Sequence, residues 1–388
     1  MEEKFIDIRN TNRAYELALA RLKSDTHISQ RNKDLILRFV RDAALGKTVI
    51  GRAKKKIGVA RLLGYITQIR PLIEFTHKDL DQITQADMEA FVEALENDTI
   101  KSRAQRRIGE TLCRVDAPLS PRYKIDIKLT VKKFYKWLWG ESRSYPKLVE
   151  WIDTYMESKE ISALTEAEVN RMLDRANTPQ HRALIQVLFD GGVRIGELLN
   201  VRLRHVSQRS FEEHAEEKCF VVRVPFSKTL RRTVALPMPA TTKWLTLWLE
   251  DHPAQPKLRP DGTIDAADTS VQLFPMSDNA VRLVLRRVGQ RALGKRVYPH
   301  LLRHTSATYW SNTLPHFKFC KRFGWTMTSN MPQRYIDREG VDEVDVARIY
   351  RERQQKRPRR GFAVSMAEDP ESRVNSASGG TRHARTVR

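Results

Sequence analysis

Several things are missing from this 388-residue sequence, and each absence excludes a class of function. No run of apolar residues approaches the ~20 that a bilayer-spanning helix needs. The opening residues, Met1-Glu2-Glu3-Lys4-Phe5-Ile6-Asp7, begin acidic and have no apolar centre, unlike a secretory signal. Three cysteines, Cys113, Cys219 and Cys320, stand too far apart for a metal knuckle or a disulfide framework, and read as reduced thiols of an intracellular protein. There is no glycine-rich phosphate loop followed by Lys-Ser/Thr, since Gly191-Gly192 alone is too little. Nor do Asp and Glu cluster as a two-metal site requires. The expectation is chemistry without nucleotide, metal or organic cofactor.

Acidic residues are also in deficit. Asp plus Glu number 47 against 69 Lys plus Arg, a formal net charge of +22. So much like charge opposes compaction, and a polyanionic partner is its usual explanation. Nucleic acid is the first reading. An anionic membrane surface is the second, and it loses ground because no apolar run anchors the chain. The expected setting is the cytoplasm or nucleoid, with no membrane partner.

This length suits two domains with separate cores. Residues 1–28 are mixed and charged, an N-terminal extension with at most a short helix. From Ser29 onward Leu35, Ile36, Phe39 and Val40 recur at helical spacing, then Leu62, Leu63, Ile66, Ile69 and Leu72. Thr84 reads as the cap of a helix over 88–95, and residues 125–139 form another around Ile127, Val131, Phe134, Tyr135 and Leu138. Two basic loops lie between them, one with Lys54, Lys55 and Lys56, the other with Arg103, Arg106 and Arg107, while the last helix carries Lys132 and Lys133. A lysine-bearing helix is ordinarily a solvated face. Two basic loops and a basic helix in one small helical domain turn the reading toward the DNA backbone. Residues 29–140 are therefore expected to be a helical DNA-binding domain, and 141–163, with a proline and a charged run, a linker. Residues 164–350 form the second domain. The stretch 351–388, with ten Arg or Lys against four acids, is expected to be a disordered basic tail.

The second domain opens on Thr165 as an N-cap with Glu166 and Glu168 in the first turn. Its first apolar helix breaks at Asp190-Gly191-Gly192 and restarts at Val193. Strand signals appear only in this domain, at 219–224 and 233–236, on either side of a turn that holds Lys228. The fold expected is mainly α, with a small antiparallel hairpin in the C-terminal domain.

Chemistry-bearing residues concentrate in 299–335. Pro299 opens a helix at the position where its missing N–H costs nothing. His300 and Arg303, three apart, share a face and set a proton carrier beside a fixed cation, which suits a phosphate. Phe323-Gly324-Trp325 then leads to Gln333-Arg334-Tyr335. Singly, each feature has an ordinary reading: Arg194 with Glu197 as an internal pair, Lys228 as a solvated turn residue, His300 as a core histidine, Tyr335 as packing.

Taken in order, Arg194, Lys228 in a β-turn, His300-x-x-Arg303, Gly324-Trp325 and Tyr335 resemble the catalytic domain of the tyrosine recombinases, the phage-integrase family. The resemblance covers about residues 164–340, and more loosely 29–155, which is similar to that family's SAM-like core-binding domain. It implies Tyr335 as nucleophile on a DNA phosphodiester, leaving a 3′-phosphotyrosyl link and a free 5′-hydroxyl. Arg194 and Arg303 would hold the non-bridging oxygens, His300 would relieve Tyr335 of its proton, and Lys228 would protonate the departing oxygen. Trp325 stands where many members have histidine, and can donate but not carry a proton. Glu197 would steady the Arg194 segment. The resemblance further implies double-stranded DNA as partner and a tetramer on two sites, with residues 341–355 docking on a neighbouring copy. A type IB-like topoisomerase and a non-catalytic DNA-binding protein on the same fold are the alternatives.

Overall fold

The computed structural model of the protein describes residues 5–48, 56–108, 111–140, 144–157, 162–211, 214–227, 230–311 and 313–336, without side chains at 103–108, 111–115, 211, 214–217, 334 and 336. Lys54, Lys55, Lys228, the segment 341–355 and the basic tail lie outside the described residues.

Among the described residues the apolar side chains gather into two large cores and a smaller third one. The first is helical. It is built from α1 (Thr11–Ser24), α2 (Gln30–Ala44), α3 (Val59–Thr76), α4 (Gln85–Glu96), α5 (Pro121–Trp139) and the short α6 (Lys147–Glu150). Ser29 caps α2 by accepting from the Asn32 N–H, and Thr84 with Asp87 forms a capping box on α4. Ile36, Phe39, Leu72, Phe91, Phe134 and Tyr135 are fully enclosed in it. Two sequence expectations change here. Within the N-terminal stretch read as an extension, α1 buries Leu22 in this core and packs Tyr15, Ala18 and Leu19 against it. The basic stretch at 101–107 is not a loop either. It is strand β1 (Lys101–Ile108), paired antiparallel with β2 (Thr111–Pro118) from Lys101↔Pro118 to Ile108↔Thr111. Charge misled the reading: long basic side chains do not prevent a backbone ladder, and strand preference depends on context.

The second core holds α7 (Glu166–Arg175), α8 (Pro179–Gly191), α9 (Ile195–Leu198), α10 (Pro239–Glu250), α11 (Asp278–Leu293) and α12 (Pro299–Ser311) around a sheet ordered β3 (Val206–Phe211), β4 (His214–Val224), β5 (Arg232–Leu236). A two-residue ladder, β6 (Lys257–Leu258) with β7 (Ile264–Asp265), lies in the loop before α11. Thr165 and Glu168 form the expected capping box. The expected hairpin is present as β4 and β5, and β3 extends it into three strands. Helix α8 is the central element, buried on every side over 183–191, as its nearly unbroken apolar sequence requires. Its one carboxylate, Asp190, is wholly enclosed and accepts from the Met238 N–H at 3.0 Å, the Thr241 hydroxyl at 2.9 Å and Arg322 Nη2 at 3.1 Å. Burial raises the Asp190 pKa to about 6 against the pull of the Arg322 charge, and burial lowers that guanidinium to about 10. The pair bolts α8 to α10 and to α13 (His316–Phe323). The third core, with Ala307, Phe319, Cys320, Phe323, Trp325 and Tyr335, lies where α12, α13 and the four-residue α14 (Gln333–Ile336) meet.

No described helix is long and apolar enough to cross a membrane, and no described His, Cys, Asp and Glu group into a metal-holding set.

Candidate active site

The site is assembled around one glycine. Helix α8 ends in Gly192, at φ 56°, where a Cβ would lie 2.3 Å from the Phe323 ring and 2.7 Å from Ser306 Oγ. Only glycine takes this left-handed turn against such neighbours. The turn delivers Arg194 to the N-cap of α9. There Glu197 accepts from the Arg194 N–H at 3.0 Å and from Arg194 Nη1 at 2.8 Å. The same carboxylate accepts from the Ser227 hydroxyl at 2.8 Å and, on its far side, from Arg232 Nη2 at 2.9 Å. Burial works against ionisation of Glu197, but the Arg232 hydrogen bonds and charge, helped by Arg194, outweigh it and hold the carboxyl down at about 2. Arg232 is fully enclosed, with its Nε on the Arg322 carbonyl at 2.7 Å. Arg194 therefore sits on an ionised base, and Ser227 ties the residue before Lys228 to that same base.

Arg303 comes from the second turn of α12. Its Nη1 donates to the Gly192 carbonyl at 2.5 Å and its Nη2 to the Phe323 carbonyl at 2.7 Å. The guanidinium lies over the Phe323 and Trp325 rings, 5.3 and 5.4 Å from their centroids. Only 3% of this residue is exposed. Burial first, and then the nearby Arg194 charge, lower its pKa to about 9, which leaves it charged at neutral pH. Arg194, His300 and Arg303 line one cavity of about 610 Å³, together with Glu197, Ser227, Arg231 and Arg282. His300 stands at its rim. The cavity walls desolvate the ring and, with the Arg303 and Arg194 charges, hold its pKa below the usual histidine value.

Tyr335 is not among the described residues that line this cavity. It is almost fully buried beside it, where its hydroxyl makes a 2.6 Å hydrogen bond with His304 Nδ1. Phe323, Trp325 and Tyr335 form a stack, with Trp325 4.9 Å from Phe323 and 5.7 Å from Tyr335 at near-parallel angles. The Pro332 carbonyl accepts the Tyr335 N–H at 2.9 Å at the start of α14. His300 meets this arrangement through the edge of His304, at 4.7 Å between centroids.

The structure thus brings Arg194, Glu197, His300 and Arg303 together and sets Trp325 and Tyr335 next to them. Sequence reasoning overlooked two contributors. His304 directly follows Arg303 in the sequence, where it has no role in the resemblance. Arg232 carried a signal, because it is in phase with the inward-facing Val234 and Leu236 of β5, and a cation on a strand's buried face requires an acid. Of the expected DNA-contacting cations, Lys56 is exposed. Arg103, Arg106 and Arg107 are on β1, with no side chains described. Lys132 has intramolecular work: its ammonium caps the end of α6, on the Glu150 and Ile152 carbonyls at 3.0 and 2.8 Å. Lys133 lies over the Tyr65 ring at 5.6 Å.

A cavity lined by guanidiniums, with an imidazole at its rim and a tyrosine on a short helix nearby, can hold a phosphate. Residues 162–340 match the model of the phage integrase family. The tyrosine recombinase XerA of Saccharolobus solfataricus is 24% identical over 246 residues, which is 63% of this chain and 70% of that protein. In fold, the chain resembles the XerH site-specific recombinase in a post-cleavage complex with palindromic difH substrate, at TM-score 0.53 and 14% identity over 90% of this chain and 98% of that one. It also resembles a lambda integrase tetramer bound to a Holliday junction, at TM-score 0.51 and 17% identity over 84% and 82%. Residues 162–340 thus form a domain of the phage integrase family.

Proposed function

We propose that this protein is a site-specific DNA recombinase that cuts and rejoins duplex DNA through a 3′-phosphotyrosyl intermediate on Tyr335. The observation that carries the reading is the single cavity shared by Arg194, His300 and Arg303, with Tyr335 stacked on Trp325 at its side. A DNA phosphate in that cavity meets two guanidiniums, which neutralise its non-bridging oxygens as charge builds on the pentavalent transition state. Tyr335 leaves His304, turns into the cavity and attacks phosphorus. Its proton passes to His300, kept neutral by its depressed pKa. The bond from phosphorus to the 5′ oxygen breaks, and Lys228 supplies the proton that makes it a 5′-hydroxyl. Attack by a 5′-hydroxyl from another strand reverses the step and frees Tyr335. Bond energy is stored in the phosphotyrosine, so the cycle needs neither ATP nor a metal ion.

Residues 29–140 serve as the core-binding domain, 141–163 as the linker and 164–350 as the catalytic domain, with four copies assembled on two DNA sites. The test is a pool of nicked suicide duplexes of randomised sequence, offered with excess chelator. The expected product is a covalent protein–DNA adduct that Tyr335→Phe does not form. A protein that binds the pool yet yields no adduct under any condition contradicts the proposal.

A further inference from the structure

The proposed mechanism leaves unused a segment that lines the catalytic cavity from the far end of the sequence. Residues 5–9 lie against the second core, while the helix they lead into, α1, belongs to the first. The Ile6 N–H donates to Asn200 Oδ1 at 2.7 Å, and Asn200 Nδ2 returns a bond to the Ile6 carbonyl at 3.1 Å. This two-way bond, from an asparagine that is itself 1% exposed, docks the segment as a ladder rung would. Ile8 packs on the second core, and Phe5 sets its edge on Phe226, 5.6 Å between centroids, two residues before Lys228. At Asp7 the chain turns. Its carboxylate accepts from the Arg9 and Asn12 N–H groups and the Thr11 hydroxyl, and Asn10 takes the left-handed conformation that starts α1. The segment is a strap crossing from one core to the other, at the cavity mouth.

We propose that this strap is a working wall of the DNA site, with Arg9 as a phosphate-contacting cation beside the cleavage cavity; the inference rests on the recombinase reading above. Phe5 and Arg9 both line the cavity. The Arg9 side chain is 59% exposed, and its Nε lies 3.4 Å from Asp278 Oδ2, an oxygen already held by Arg282 Nε at 2.9 Å. One carboxylate facing two guanidiniums leaves a surplus cation at the mouth. Within the cavity lining, Arg9, Arg194, Arg231, Arg282 and Arg303 face a single carboxylate, Glu197, which Arg194 and Arg232 already neutralise. Such an excess matches a ligand with several phosphates in a row, one in the catalytic position and its neighbours along the strand, as a DNA backbone supplies. Docking by Asn200 and Ile8 holds Arg9 in place before DNA arrives, so its contact costs little ordering.

The experiment measures binding of the full chain to a short random-sequence duplex as a function of salt. Arg9→Gln should lower the slope of log K against log salt by about 0.9, one released counterion, without changing the unfolding midpoint. Arg9→Lys should keep the slope. Ile6→Pro, which removes the donor to Asn200 and touches no catalytic group, should show the loss seen in Arg9→Gln. An unchanged slope in Arg9→Gln overturns the proposal. So does a slope lost in Arg9→Gln but kept in Ile6→Pro, the behaviour of a loose arm. The readout is independent of cleavage: wild-type protein that forms no adduct sinks the recombinase reading, whereas wild-type protein that cleaves while Arg9→Gln keeps its full slope sinks the strap alone.

Discussion

The Tyr335 hydroxyl and His304 Nδ1 are 2.6 Å apart, and this bond turns the proposed nucleophile to a histidine outside the lining of the cavity that holds Arg194, His300 and Arg303. In the proposed reaction Tyr335 exchanges one histidine for another. A neutral hydrogen bond of this kind is worth about 0.5–1.5 kcal/mol net, small enough to break when a phosphate presents itself.

Division of labour between the two histidines can be measured by single-turnover adduct formation. His300→Ala should slow it by about 10²–10⁴-fold, the usual loss for a positioned proton acceptor. His304→Ala removes the resting partner of Tyr335 and should change the rate by about tenfold or less. A larger loss in His304→Ala than in His300→Ala reverses the assignment.

The pH profile tests the same group. The walls of the cavity, then Arg303 and Arg194, depress the His300 pKa below 6.5, so its neutral, proton-accepting form persists to lower pH than in an ordinary histidine. The acid limb of the cleavage rate should have its midpoint below 6.5, and His300→Ala should abolish that limb. A depressed folded-state value also means that protonation favours unfolding: this contribution to stability is complete above the unfolded value and is lost as pH falls through the folded one. A rate midpoint at or above 6.5 contradicts the assignment.

Glu197→Gln addresses the base beneath Arg194. The substitution keeps the shape but removes the charge that Arg194 and the enclosed Arg232 share. Leaving Arg232 buried without its acid should cost about 3 kcal/mol or more in denaturant unfolding, and cleavage should fall more than DNA binding does. Because Glu197 titrates at about 2 in the folded protein against 4.5 ordinarily, its contribution is present above pH 4.5 and lost as pH falls toward 2. Wild-type stability at neutral pH in the variant excludes this role.

Arg322→Met probes the bolt between α8, α10 and α13. It strands Asp190, wholly enclosed, with no cation. The expected loss is about 3–5 kcal/mol, and Asp190→Asn combined with Arg322→Met should recover part of it, since the uncompensated charge is then gone. Equal stability of the single and double variants contradicts a buried ion pair as the cause.

Much of this was legible in the sequence, for identifiable reasons. Periodic apolar positions such as Ile36, Phe39, Phe134 and Tyr135 set the helical core, and Thr84 and Thr165 marked helix starts because capping is local chemistry. The separation of Arg194 from His300-x-x-Arg303 did not hide them, since their order matched a known family's pattern. Pairing across distance was harder to see. The β1–β2 hairpin was hidden by its charge, and β3, which pairs with the next strand β4, by its polar sequence. Arg232 opposite Glu197, and the return of residues 5–9 to Asn200, depend on which segments meet, a property no local window contains. His304 was in plain view. What it lacked in the sequence was its partner, thirty-one residues away.

In the proposed reaction it is Tyr335 that forms the covalent bond to DNA. The direct measurement is mass spectrometry of the adduct trapped on a suicide duplex in the presence of chelator, after digestion of both protein and DNA. The expected product is a nucleotide joined through its 3′-phosphate to the Tyr335 phenolic oxygen, absent from Tyr335→Phe. A nucleotide on Tyr350 or any other residue, or an undiminished adduct in Tyr335→Phe, would contradict it.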